Sequence, residues 1–319
     1  MKITKTSIPL QQLISGETLS IKVFTCAGSK PGPAIYLQGN LHGSEIFGGA
    51  LLTKLIEFLS KQKDICGRLT IVPLANPLAV QAQMSGFQFG RWNTQNGKNW
   101  NRIFSSTFKT ILPGMAIEEK FASLLQSLTK GHDIILDIHS DGKQSVPHLY
   151  TAAASLEIFS PLETACQLIF GENDYQGAFD ESCAAAVKSE GRVTHAATWE
   201  IGTQGTIDLA ELNKQFQNLL NFLSHSGILQ NTPTSPLSPE PLVFPLASVQ
   251  TLCADSFGYL VWTTEPGAKL KAGNPFACIY NPASGLSNDC YAPYDLFLLA
   301  QYPLQAISEG QELAKVVRV

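Results

Sequence analysis

The feature that most constrains this chain is an alternation of apolar runs with amphipathic stretches. "PAIYLQGN" (33–40) reads as a buried strand. "IFGGALLTKLIEFLSKQ" (46–62) follows with Ile46, Ala50, Leu51, Leu55 and Leu59 at helical spacing. "RLTIVPLANP" (68–77) is a second strand, ended by its Asn-Pro. "IEEKFASLLQSLTKG" (117–131) places Ile117, Phe121, Leu124, Leu125 and Leu128 on one helical stripe, with Gly131 as the stop. "HDIILDIHS" (132–140) and "VTHAATWEIG" (193–202) are further strands, and "DLAELNKQFQNLLNFLSHSG" (208–227) is a helix with Leu209, Leu212, Phe216, Leu219, Leu220 and Leu223 inward. Strands too apolar to face water, interleaved with one-sided helices, predict a three-layer α/β domain.

The texture changes at "NTPTSPLSPEPLVFP" (231–245), where five prolines predict a semi-extended linker. Beyond it, "FGYLVWTTEPGAKLKAGNPFACIY" alternates short β-prone runs with Glu-Pro-Gly and Ala-Gly-Asn-Pro turns, which predicts a small all-β domain. The expected division is a catalytic α/β domain over 1–230, a linker over 231–245 and a β-rich domain over 246–319. At roughly 150 residues per domain, 319 residues suit about two domains.

With 44% hydrophobic and 15% charged residues the chain can bury a large core, and a formal net charge of −4 with no basic block argues against a nucleic-acid partner. Seven scattered cysteines without a C-x-x-C pair suit reduced thiols. No window suits a signal peptide or a membrane span, so a cytoplasmic protein without a membrane partner is expected.

Between the first strand and the first helix lies "LQGNLHGSEIFGG" (37–49), with His42 and Glu45 three positions apart. Taken alone, the pair is an ordinary loop histidine and a glutamate favoured by the helix dipole. His139 alters the reading, because it stands at the carboxyl end of a different apolar strand, where open α/β sheets gather their ligands. Two histidines and one glutamate are an established ligand set for catalytic zinc, which keeps its fourth position for water. A hydrolase built on such a set also needs a carboxylate to move protons, and Glu200, at the end of the 193–202 strand, is the candidate. The alternative for Glu200 is a salt-bridged strand-end residue. "GRWNTQNGKNWNRIF" (90–104) supplies Arg91, Asn101 and Arg102, residue types suited to holding a carboxylate and stabilising an oxyanion. Composition alone also allows a surface loop with its charges in water.

Four pieces in order, "HGSE" (42–45), "RWNTQNGKNWNRIF" (91–104), "LDIH" (136–139) and "EIG" (200–202), resemble the succinylglutamate desuccinylase/aspartoacylase family, a branch of the zinc carboxypeptidase-like hydrolases. The resemblance covers the chain to about residue 225. It implies a mixed sheet in the α/β domain and one zinc ion per chain held by His42, Glu45 and His139. It implies Glu200 as the base, Arg91 polarising the scissile carbonyl, and Asn101 and Arg102 holding a substrate carboxylate. The implied activity is deacylation of an N-acyl amino acid or similar small amine. A carboxypeptidase acting on peptides would use the same atoms, and a non-catalytic zinc-binding homologue is a third reading.

The chain departs from the family pattern at Asn96 and Asn99, where aspartate is usual. Asn96-Gly97 turns as readily as Asp-Gly. Asn99 replaces a carboxylate that orients a ligand histidine, which predicts a less basic imidazole and weaker metal binding. Asp137, on the same strand face as His139, is a candidate compensating partner. His132, His148, His195 and His225 match no motif and are not assigned to zinc. Assembly into a homo-oligomer is compatible with this reading.

Overall fold

The computed structural model describes every residue except 1, 85–86, 89, 142–143, 172–173, 204–206, 231–239 and 303–305. Nine strands make the main sheet: β1 (Ile3–Gln12), β2 (Thr18–Ala27), β3 (Lys30–Gly39), β4 (Cys66–Val72), β5 (Ile134–Asp141), β6 (His148–Thr151), β7 (Cys166–Ile169), β8 (His195–Thr203) and β9 (Leu242–Pro245). Their spatial order is β1-β2-β4-β3-β5-β8-β6-β7-β9. The central strands β4, β3, β5 and β8 run parallel, while β1, β2 and the β6–β8 pairing are antiparallel, so the sheet is mixed.

Four longer helices cover the sheet: α1 (Ile46–Ser60), α2 (Ile117–Leu128), α3 (Phe179–Ser189) and α4 (Leu209–His225). Alternation along the strands assigns the layers. Ile35, Leu37, Leu136, Ile138, Ala197 and Trp199 pack with α1 and α4, whereas Tyr36, Ile135 and Ala196 pack with α2 and α3. Each fully buried leucine of α1 is worth about 1.5–3 kcal/mol, and Leu51, Leu52, Leu55 and Leu59 together anchor that helix against the parallel strands. The three-layer α/β expectation therefore holds. The α4 stripe differs in one place: Leu209, expected inward, is 69% exposed in the first turn, directly after the Asp208 cap.

The C-terminal region forms two small sheets. Val249–Cys253, Glu312–Arg318, Leu296–Gln301 and Lys269–Leu270 lie in one, and Leu286–Tyr291, Pro275–Asn281, Gly258–Trp262 and Ala306–Ile307 in the other. A short strand at Gln144–Ser145, from the α/β part, pairs antiparallel with Leu296–Gln301. In return β9 pairs parallel with β7 in the main sheet. Most of the proline-rich stretch (231–239) lies outside the described residues, and its end, Leu242–Pro245, is this strand. No described helix is long and apolar enough to cross a membrane.

Candidate active site

The parallel strands β3, β5 and β8 end together, and the site sits where they end. After Gly39 the chain turns through Asn40, the one described non-glycine residue with positive φ (58°), a conformation that asparagine tolerates. The Asn40 Nδ2 donates to the Glu45 carbonyl at 3.0 Å and closes the loop carrying His42. Gly43 has no alternative here, since a Cβ would run into the Ala79 carbonyl.

Glu45 occupies the N-cap of α1, yet its side chain makes no capping bond. Its carboxylate turns instead to the histidines. Oε1 lies 2.9 Å from His42 Nδ1, and Oε2 lies 2.6 Å from His139 Nδ1. The two imidazole rings stand nearly perpendicular, 5.1 Å apart. Each ring is held from behind: His42 Nε2 by Asn99 Oδ1 at 3.0 Å, and His139 Nε2 by Asp137 Oδ2 at 2.8 Å. Both Nδ1 atoms thus face inward. One ligand atom from each of His42, Glu45 and His139 can be chosen so that all lie within 4.8 Å of one another, a donor set of the size and chemistry that holds a divalent metal ion. All three residues are buried.

Carrying charges inside costs several kcal/mol per ion unless they pair. Burial opposes ionisation of Glu45, but the His42 and His139 rings outweigh it and hold the carboxyl well below its usual range. Burial likewise disfavours a His139 imidazolium, yet Asp137 and Glu45 hold its pKa well above the ordinary histidine value. Asn99 and Asp137 serve different rings, His42 and His139 respectively.

Glu200 and His139 are direct register partners on adjacent parallel strands. Strand alternation puts Asp137, His139, Thr198 and Glu200 on the α2/α3 face. Glu200 contributes to the cavity wall, and its Oε2 has no protein partner. Burial pushes its carboxyl up to about 8, with His139 pulling against the shift and the Glu45 and Asp141 charges adding to it.

The 90–104 segment is not a free surface loop. Trp92 bridges to Asn99, the Asn93 N–H donates to the Lys98 carbonyl at 2.8 Å, and Trp100 packs edge-on against Phe121 at 5.3 Å. Asn93 Nδ2 donates to Glu118 Oε1 at 2.7 Å, and Asn96 Nδ2 donates to the same oxygen, tying the loop to α2. So fixed, the loop brings Arg91, Asn101 and Arg102 to the cavity. Arg91 Nη1 donates to Glu45 Oε1 at 3.3 Å. Asn101 Oδ1 accepts from the Phe179 N–H at 2.8 Å, which leaves its amide as a donor. Burial and the neighbouring Arg91 charge lower the Arg102 pKa.

Of the residues singled out in the sequence, His42, Arg91, Asn101, Arg102, His139 and Glu200 line one cavity of about 820 Å³, its mouth included, while Glu45, Asn99 and Asp137 are bonded to the two histidines. Three of the four histidines left out are bonded elsewhere: His132 to Thr70, His195 to Ser155 and His148 to the Val146 carbonyl. Sequence reasoning missed Tyr150, Asp180 and Thr198 in the wall, and Leu246, Val249 and Lys315 from the C-terminal region. Lys315 had one signal available, as the lone charge in the buried run "LAKVV".

The family profile of the succinylglutamate desuccinylase/aspartoacylase catalytic domain matches residues 31–226, more than half of the chain. The chain belongs to this family of hydrolases, whose members act on small N-acyl amino acids. Among solved structures, a protein described as a succinylglutamate desuccinylase/aspartoacylase from Shewanella frigidimarina NCIMB 400 superposes with a TM-score of 0.88 at 24% identity, over 99% of this chain and 97% of that one. A family protein from Shewanella amazonensis SB2B gives 0.87 at 25% identity, over 98% of each chain. The product-bound ectoine utilization protein EutE (DoeB) from Ruegeria pomeroyi gives 0.77 at 21% identity, over 100% and 95%. No curated protein matches the chain. The fold is the aspartoacylase, or zinc carboxypeptidase-like, fold.

Proposed function

We propose that the protein is a zinc-dependent amidohydrolase that cleaves the amide bond of an N-acyl amino acid or a similar small N-acylated amine. One juxtaposition carries the reading: the Glu200 carboxylate, with its Oε2 unpartnered among the described residues, stands in register beside His139 on the cavity that the His42–Glu45–His139 cluster faces. The donor set fits zinc, with two nitrogens and one carboxylate turned inward and both outer nitrogens tied to oxygen acceptors.

Zinc held by His42, Glu45 and His139 supplies Lewis-acid polarisation of the acyl carbonyl and lowers the pKa of water. The remaining work falls to side chains. Arg102 and the Asn101 amide bind the substrate carboxylate, and Arg91, half-exposed beside Glu45, stabilises the oxyanion. Glu200 takes a proton from the attacking water and returns it to the nitrogen as the C–N bond breaks. A carboxyl whose proton affinity lies near neutrality serves both halves of that transfer. In this reading residues 1–230 are the catalytic unit. Residues 246–319 narrow its cavity with Leu246, Val249 and Lys315, which favours a small substrate over a peptide. The seven free cysteines suit a cytoplasmic location.

The test is turnover by zinc-loaded protein on a panel of N-acetyl and N-succinyl amino acids against short peptides. Release of free amino acid from the acylated compounds alone is expected. Cleavage confined to peptides would replace the deacylase with a carboxypeptidase, and stoichiometric zinc without any hydrolysis would point to a binding protein.

A further inference from the structure

A second cavity adjoins the first. The two share Phe170, Asp174, Asp180 and Glu181 as lining. The three carboxylates in that shared wall are not equivalent. Glu181 Oε1 accepts from the backbone N–H groups of Gln176 (2.6 Å) and Ala178 (2.7 Å), closing the first turn of α3. Asp174 Oδ2 accepts from the Gly171 N–H at 2.6 Å. Asp180 is 1% exposed, and among the described residues neither of its oxygens receives a hydrogen bond of good geometry, although the Glu181 N–H and the Thr198 hydroxyl stand close by.

A buried carboxylate without partners is destabilising, so its retention calls for a ligand or a structural duty. Capping α3 is not that duty, because Glu181 already performs it. The Glu181 N–H and the Thr198 hydroxyl lie close enough to favour the charged form, but burial and the Asp137 charge prevail and push the Asp180 carboxyl up to about 7. Among the described residues no cation is ion-paired to Asp180. Arg102 lines the same cavity and feels the Asp180 and Glu181 charges, yet its Nη1 is engaged by the Asn101 carbonyl at 2.6 Å. The cavity thus offers a guanidinium for a carboxylate and, nearby, a carboxylate for a positive charge.

We infer that Asp180 is a subsite for a cationic group on the amine half of the substrate, so that the preferred substrates are N-acyl derivatives of basic amino acids. The inference rests on the deacylase reading for the direction in which substrate lies. An ammonium brings both the counter-charge and the donors that the Asp180 oxygens lack. A neutral side chain leaves them unsatisfied, and an acidic one adds repulsion.

The experiment compares Nα-acetyl-L-lysine, Nα-acetyl-L-norleucine and Nα-acetyl-L-glutamate as substrates of the zinc-loaded wild type and of Asp180→Asn. In the wild type kcat/KM should be at least about tenfold higher for the lysine compound than for norleucine, with glutamate lowest. Asp180→Asn should remove that advantage, chiefly through KM, and leave the norleucine value within about threefold. Equal wild-type values for lysine and norleucine, or a parallel fall of both in the variant, would overturn the subsite. The wild-type comparison decides by itself if the variant does not fold. A calorimetric arm keeps the two readings separate by titrating free L-lysine and L-norleucine into the zinc-loaded protein. If no acylated compound is hydrolysed the deacylase reading fails, while tighter lysine binding still upholds Asp180 and indifference to the charge still sinks it.

Discussion

Two sides of one cavity handle buried charge in opposite ways. On the side of His42, Glu45 and His139, almost every polar atom is bonded, with one Asp137 oxygen as the exception. On the side of Glu200 and Asp180, three carboxylate oxygens receive no hydrogen bond of good geometry among the described residues. The proton affinities follow: Glu45 is held well below its ordinary range, while Glu200 is pushed to about 8 and Asp180 to about 7. A bonded carboxylate is a fixed part of the frame. An unbonded one answers to whatever enters.

The sharpest way to break this contrast is to remove the centre of the bonded side. Glu45→Ala should abolish stoichiometric zinc and with it all activity, because two imidazoles alone make an incomplete site. Metal analysis after dialysis checks this, and full zinc retention would mean the ligands are misassigned. The unbonded side should fail differently. Glu200→Gln should keep its zinc while kcat falls about 10²–10⁴-fold, the usual contribution of a proton-transferring group. Activity within tenfold of wild type would remove Glu200 from the role of base.

Smaller effects should come from behind the rings. Asn99→Asp gives His42 Nε2 a charged acceptor and should tighten zinc binding by about 10–100-fold, whereas Asp137→Asn should weaken it by a similar factor. Competition with a chelator reads both. The smallest effect concerns pH. The folded Glu200 pKa is raised from 4.5 to about 8, so its stabilisation is complete below the unfolded value and is lost as pH rises through the folded one. The Tm of chelator-treated protein should therefore decline less steeply between pH 4.5 and 8 in Glu200→Gln than in the wild type. Parallel profiles would show that Glu200 is better solvated than its burial suggests.

The same contrast explains what could be read from the sequence. His42, Glu45, His139 and Glu200 are legible because rare chemistry sits at strand ends, and strand ends are visible as breaks in apolar runs. Asp180 is not legible, since "GAFDES" reads as any acidic first turn, and only its place in the cavity wall gives the carboxylate its meaning. The fold divides similarly. The strand containing residues 134–141 is buried at every position and is legible from its apolar start, Ile134 to Leu136. Strands β1 and β2 were not read at all, because β1 exposes most of its residues and alternates too weakly to stand out. Strands β6 and β7, four residues each, are shorter than any periodicity can register.

The exchange of strands between the two parts of the molecule bears on how substrate arrives. Gln144–Ser145 is laced into the C-terminal sheet, and Leu242–Pro245 is laced into the main one. A lid that swung on a hinge would first have to unzip both ladders, so the outer wall behaves as a fixed collar. Selection at this entrance is therefore a matter of passing through a rigid aperture, and the rate of admission should depend on the girth of the incoming molecule more than on any closing motion of the protein.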